Sequence, residues 1–154
     1  MVLDMDGGRT LKPAWHERMP ARLKQETVAM QDRFPDFKLV RGSGSTLGWV
    51  GCLKSNRGNR YKVQLVYSDN FPHEEPRAFI EEPNLVSQHM WPDGHLCLMY
   101  PDGGTWQTNT TCATMIAIVA AWLFCYENHQ ANCRRNSGKP CMDPQCKHWP
   151  GKKL

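Results

Sequence analysis

The chain has no long apolar run. Its greasiest stretch, Cys112 to Tyr126, is interrupted only by Thr114 and falls short of the roughly 20 residues that span a bilayer, which makes it a buried helix candidate. Met1 to Arg18 has no apolar segment of the kind a secretory leader needs, so none is expected. No glycine-rich phosphate loop or dinucleotide fingerprint occurs, nor any internal repeat or low-complexity tract, which removes the common nucleotide-binding and solenoid readings. Charge of one sign is also scarce. The formal excess is only +4, and much of it sits in Arg134-Arg135, Lys139, Lys147 and Lys152-Lys153. The body is therefore no polycation, and direct nucleic-acid binding is not expected. Seven cysteines, an odd number without a leader, suit a reducing compartment, with the cytoplasm as the default.

What remains is a chain of 154 residues, 40% hydrophobic and 22% charged, enough for one soluble domain with a core. Residues 1–18 read as an irregular lead-in. Pro20 suits a helix start, and Ala21 to Arg33 are good helix formers that Phe34-Pro35 stops. Leu23, Val28, Met30 and Phe34 form a sparse apolar stripe on that helix. Three β-like runs follow, Phe37 to Val40, Thr46 to Leu53 and Tyr61 to Tyr67. The last alternates Tyr61, Val63, Leu65 and Tyr67 against Lys62 and Gln64. The breaks at 41–45 and 55–59 have hairpin chemistry. A fourth strand, Arg77 to Ile80, is fenced by Pro76 and Pro83. Helix, antiparallel meander, long loop and buried helix make an α+β order rather than a βαβ one. Met115, Ile118, Val119, Trp122 and Tyr126 recur at helical spacing and read as core.

Between Glu81 and Gln107 periodicity vanishes, yet His89, Trp91, His95, Cys97, Tyr100 and Trp106 crowd there. A loop of that length in a compact domain is usually functional or disordered, and so many aromatics argue against disorder. Thiol chemistry fits the inventory. The thiolate is the nucleophile, and a free thiol is only a few per cent ionised near pH 7. His89 and His95 flank Cys97 and can stabilise the anion or donate to a developing oxyanion. Asp93-Gly94 offers a tight turn that lifts the cysteine into reach. The plainer readings are a buried structural Cys97, a His89 that pins the loop by hydrogen bonds, and a His95 facing solvent. Trp91 and Trp106 read as packing anchors.

The string Ser87-Gln88-His89-Met90-Trp91-Pro92-Asp93-Gly94-His95-Leu96-Cys97-Leu98 resembles the active-site segment of ubiquitin-conjugating enzymes, with their His-Pro-Asn, Asp/Asn-Gly and Ile/Leu-Cys-Leu. Tyr67-Ser68-Asp69-Asn70-Phe71-Pro72 with Pro76 is similar to the family's Tyr-Pro…Pro stretch. Trp106 and Thr111 before the apolar helix are similar to its Trp-Ser-Pro…Thr helix entry. The resemblance covers about Tyr61 to Tyr126. It departs at His89, which stands where the family has its oxyanion-supporting asparagine. The missing C-terminal helices, Tyr100-Pro101-Asp102-Gly103-Gly104 and Trp122…Tyr126-Glu127 look more like the bacterial members, often encoded in antiphage operons beside a cGAS-like nucleotidyltransferase. The resemblance implies a ubiquitin-conjugating fold over residues 19–128, a Cys-rich basic tail over 129–154, and an acyl carrier with Cys97 as acceptor. It also implies a protein partner whose C-terminus is loaded as a thioester, a ubiquitin-like protein or that nucleotidyltransferase. No cofactor is required for such chemistry. The tail's Cys133, Cys141, Cys146 and His148 are a zinc candidate without a tight Cys-x2-Cys knuckle, and a disulfide or free thiols remain open. Rival readings are an inactive binding module of the same fold and a zinc-stabilised scaffold acting through its tail.

Overall fold

The computed structural model describes residues 2–3, 10–87, 89–98 and 106–135. A short antiparallel pair, β1 (Val2–Leu3) and β2 (Thr10–Leu11), opens the chain. One helical turn, α1 (Trp15–Arg18), follows, where the sequence suggested only an irregular lead-in. The turn is held because Trp15 is buried, its ring 4.7 Å from Tyr67 and 4.5 Å from Phe71, centroid to centroid. Helix α2 (Pro20–Arg33) starts on its proline, whose missing N–H costs nothing at the first position. It ends where the Phe34 N–H donates to the Met30 carbonyl at 2.7 Å, just before Pro35.

The four expected strands are present, each within a residue or two of its sequence bounds. They are β3 (Lys38–Arg41), β4 (Leu47–Lys54), β5 (Arg60–Val66) and β6 (Arg77–Glu82), in the order β3-β4-β5-β6 and antiparallel throughout. The β4–β5 turn closes with Ser55 and Asn59 hydrogen-bonded at 2.8 Å, Gly58 taking φ +84°. Alternation on β5 places Tyr61, Val63 and Leu65 in the core, and Tyr67, the residue after the strand, is buried with them.

Helix α3 (Cys112–Arg135) lies against that apolar face and continues past Asn128, so residues 129–135 extend the helix. Its buried positions are Cys112, Ala113, Met115, Ile116, Val119 and Leu123. Ile118, Trp122 and Tyr126, expected in the core, are only partly covered. The first half of the helix is apolar nearly all round, so periodicity alone could not choose the face. Among the described residues no helix is long and apolar enough to cross a membrane.

One buried polar cluster ties the layers together. Glu26 of α2 is fully buried. It accepts hydrogen bonds from Arg22 Nε at 3.1 Å, Tyr67 Oη at 3.2 Å and the Cys112 N–H at 2.7 Å. Tyr67 Oη in turn accepts from Trp49 Nε1 at 2.9 Å. A carboxylate 86 residues upstream thus caps the first turn of α3.

Candidate active site

The loop after β6 folds back as a small hairpin and docks on that strand. Met90 and Leu96 pair across it, flanked by Trp91 N–H to His95 O and Cys97 N–H to His89 O, both at 2.9 Å. The turn between is Pro92-Asp93-Gly94, with Gly94 at φ +93° and its N–H donating to the Trp91 carbonyl at 2.8 Å. The Leu96 N–H donates to Ala78 O of β6 at 2.8 Å, which fixes the hairpin to the sheet.

Side chains alternate across such a hairpin. Leu96 is buried, and Met90 and Leu98 pack against the core. His89, Trp91, His95 and Cys97 therefore share the opposite face, with His89 across from Cys97 and Trp91 across from His95. The sequence proposed Cys97, His89 and His95 as a set, and the hairpin register brings all three onto one face. Cys97 is a free thiol of intermediate exposure; among the described cysteines the fully buried one is Cys112, whose thiol burial pushes far up. The Cys97 N–H is already spent on the His89 carbonyl, so it is not available to an oxyanion. The His89 N–H donates to Ser87 Oγ at 3.1 Å.

The His95 ring is the best-held group of the face. Its Nδ1 bonds the Asp93 carboxylate, which also accepts the His95 backbone N–H at 3.0 Å. The Trp91 indole stacks on it at 5.6 Å and 12°, and the Phe79 edge stands 6.2 Å away. Only 18% of the His95 side chain is exposed, so it does not simply face solvent. Asp93 is held below the usual carboxylate range, first by the His95 backbone N–H and then by the imidazole, with Arg77 Nη1 at 3.4 Å assisting. Glu75 also feels this site. Burial pushes its carboxyl up, and the nearby charge of His95 opposes that. The sequence reading missed Asp93, Glu75 and Arg77. Asp93 looked like a turn residue only, and nothing in the order His73-Glu74-Glu75-Pro76-Arg77 points at a histidine 20 residues on.

Of the two tryptophans expected to be anchors, Trp106 is one, its Nε1 donating to Pro72 O at 2.9 Å and its ring 5.9 Å from Phe71. Trp91 is not. It is 55% exposed and forms the lip of the cysteine face, because the hairpin turns its side away from the core.

The family model for Type II CBASS E2 proteins matches residues 26–136, which takes in the second half of α2, the four-stranded sheet, the cysteine hairpin and α3. The chain belongs to this family. A probable ubiquitin-conjugating enzyme E2 17 of Arabidopsis thaliana is 26% identical over 84 residues, 50% of this chain and 51% of the plant protein. The chain thus spans about half the length of the curated relative it matches. Among solved structures, the Vps23 UEV in a complex with ubiquitin superposes with a TM-score of 0.49 at 13% identity, covering 72% of this chain and 84% of that one. A ubiquitin-conjugating E2 of Plasmodium falciparum gives 0.49 at 14% identity, covering 80% and 93%. A putative one of Trypanosoma cruzi gives 0.44 at 19%, covering 73% and 76%.

In this CBASS E2 the ubiquitin-conjugating architecture is the α+β one expected: N-terminal helix, four-stranded meander, cysteine hairpin and buried helix. The zinc candidates of the tail fall outside it. Cys141, Cys146 and His148 lie outside the described residues, as does the side chain of Cys133. Among the described residues no cluster of three or more metal-ligating side chains occurs.

Proposed function

We propose that this CBASS E2 is an acyl carrier. Cys97 takes the C-terminal carboxyl of a partner protein as a thioester and passes it to an amine. The observation that carries the reading is the hairpin register, which sets a part-exposed thiol opposite His89 and beside His95. The partner is a ubiquitin-like protein or a cGAS-like nucleotidyltransferase, the setting bacterial antiphage defence, and the compartment the reducing cytoplasm. No cofactor enters the chemistry; any zinc in the tail would be structural. Because the Cys97 N–H is committed to His89 O, side-chain donors must serve the carbonyl oxygen as charge develops, and His89 stands on the right face to do so.

The test is a Cys97→Ser variant expressed with its neighbouring genes, which should trap a hydroxylamine-labile oxyester to the partner's C-terminus. Cys97→Ala should abolish conjugation with an unchanged thermal midpoint. A specific observation favours a second reading, an inactive binding module of the same fold: a histidine fills the family's asparagine position. Conjugates that persist in Cys97→Ala, or a partner that binds Cys97→Ser only non-covalently, would decide for that module.

A further inference from the structure

We infer that His95 is the proton carrier of Cys97, with Asp93 as its positioning residue. The inference rests on the carrier reading above and deepens it. Three observations converge on the ring. Its Nδ1 is committed to Asp93, a carboxylate that holds the ring and its backbone N–H together, so Nδ1 carries the proton and Nε2 the lone pair. The Trp91 and Phe79 rings fix its plane. Cys97 lies two residues on along the same strand face, roughly 6–7 Å from Cβ to Cβ, a gap that an imidazole and a thiol span directly or through one water. The charged groups acting on the ring are Asp93 from the turn and Glu75 from the segment before β6, with Arg77 from the start of β6 paired to Asp93; His89 and Cys97 share the hairpin.

The chemistry balances. On loading, the Cys97 S–H proton passes to His95 Nε2. Sulfur bonds the carbonyl carbon of an activated acyl donor, a thioester or acyl phosphate of the partner's C-terminus, and the donor's leaving group departs. That proton leaves Nε2 with the departing group or to water, so the imidazole is neutral again before discharge. On discharge, the incoming amine forms the C–N bond as the C–S bond breaks. One amine proton passes to Nε2 and is returned to the departing sulfur, restoring thiol and neutral imidazole.

The test needs no partner. Full-length protein is treated with iodoacetamide and the Cys97 peptide is quantified by mass spectrometry, with exposed Cys52 as internal reference. His95→Gln should slow Cys97 alkylation about tenfold or more near about pH 6.5. It should match wild type near about pH 9.5, where hydroxide supplies the thiolate. Asp93→Asn should shift the profile the same way by a smaller factor, about threefold, and Asp93→Glu should recover part of it. A rate ratio to wild type that is the same at both pH values, whether unity or a uniform loss, overturns the inference and makes His95 a packing residue. If His95→Gln does not fold, Asp93→Asn, changed at an exposed carboxylate, decides by the same readout. Failure here with intact conjugation through Cys97 leaves the carrier reading standing; conjugation in Cys97→Ala removes the carrier reading instead.

Discussion

Replacing Glu26 by alanine removes the acceptor for three donors at once, and the structure sets the size of the effect. Arg22, whose side chain is 10% exposed, loses the carboxylate at 3.0 Å. Breaking a buried ion pair from one side costs about 3–5 kcal/mol, but Arg22 still donates to the Thr108 and Thr110 carbonyls, which lowers its share. The Cys112 N–H becomes an orphan donor in the first turn of α3, worth about 1–3 kcal/mol. Tyr67 keeps its bond from Trp49, so its hydroxyl adds little. The total is about 4 kcal/mol, a large part of the roughly 5–15 kcal/mol that holds a domain of this size together. Glu26→Gln retains one acceptor oxygen for the Cys112 N–H but sets an amide N–H against Arg22 in place of the other, so it loses the ion pair and about half that loss is expected. Urea unfolding followed by tryptophan fluorescence reads both. A Glu26→Ala midpoint within about 0.5 kcal/mol of wild type would refute the cross-layer cap, because an orphaned buried N–H alone should exceed that.

On α3, Leu123→Ala should cost about 2–5 kcal/mol and Trp122→Ala about 1–3, since Trp122 is only partly covered and stacks on Tyr126 at 5.5 Å. Equal losses would mean the helix is turned by a residue. Burial works against ionisation of Glu127, but Tyr61 Oη at 2.7 Å and Asn59 Nδ2 at 3.0 Å outweigh it and hold the carboxyl below its ordinary range. A depressed folded value gives stability above the unfolded pKa of about 4.3 that is lost as pH falls below it, so Glu127→Gln should flatten the fall in urea midpoint between about pH 5 and pH 3. An unchanged slope would place the acid sensitivity elsewhere.

The strands and the N-terminal helix were legible because their signals are local. The period of two on β5, the proline at the start of α2 and the Phe34-Pro35 stop each act within a few residues. Glu26 was not legible. In a polar helix, an Arg22–Glu26 spacing of four reads as an ordinary surface pair. Its burial is decided by Tyr67, 41 residues away, and Cys112, 86 away. The face of α3 was half legible for the opposite reason. Too many of its positions are apolar for any stripe to stand out, and Phe124 is left 59% exposed while Ala113 is buried. Trp15 is not legible because a single aromatic in a proline- and glycine-bearing lead-in carries no periodicity.

At the site, Cys97, His89 and His95 were legible as residue types crowded into one loop, but their shared face follows from a register that no spacing rule gives, and that register hinges on Gly94. At φ +93° an alanine is strained, while its Cβ would come only within 4.0 Å of Phe79 Cδ1, so the cost of Gly94→Ala is in the backbone and not in packing. That cost is about 1–2 kcal/mol, borne locally by the turn. Each 1.4 kcal/mol is a factor of ten in opening, so amide exchange of Trp91 and Cys97, the two N–H groups that bracket the Met90–Leu96 pair, should speed up about tenfold. The β4 and β5 amides should stay as protected as before, because their ladder does not pass through the turn. If the Cys97 amide exchanged at the wild-type rate, the hairpin would be held by Leu96 in the core and its bond to Ala78. Asp93 would then owe its place beside His95 to that docking rather than to the turn.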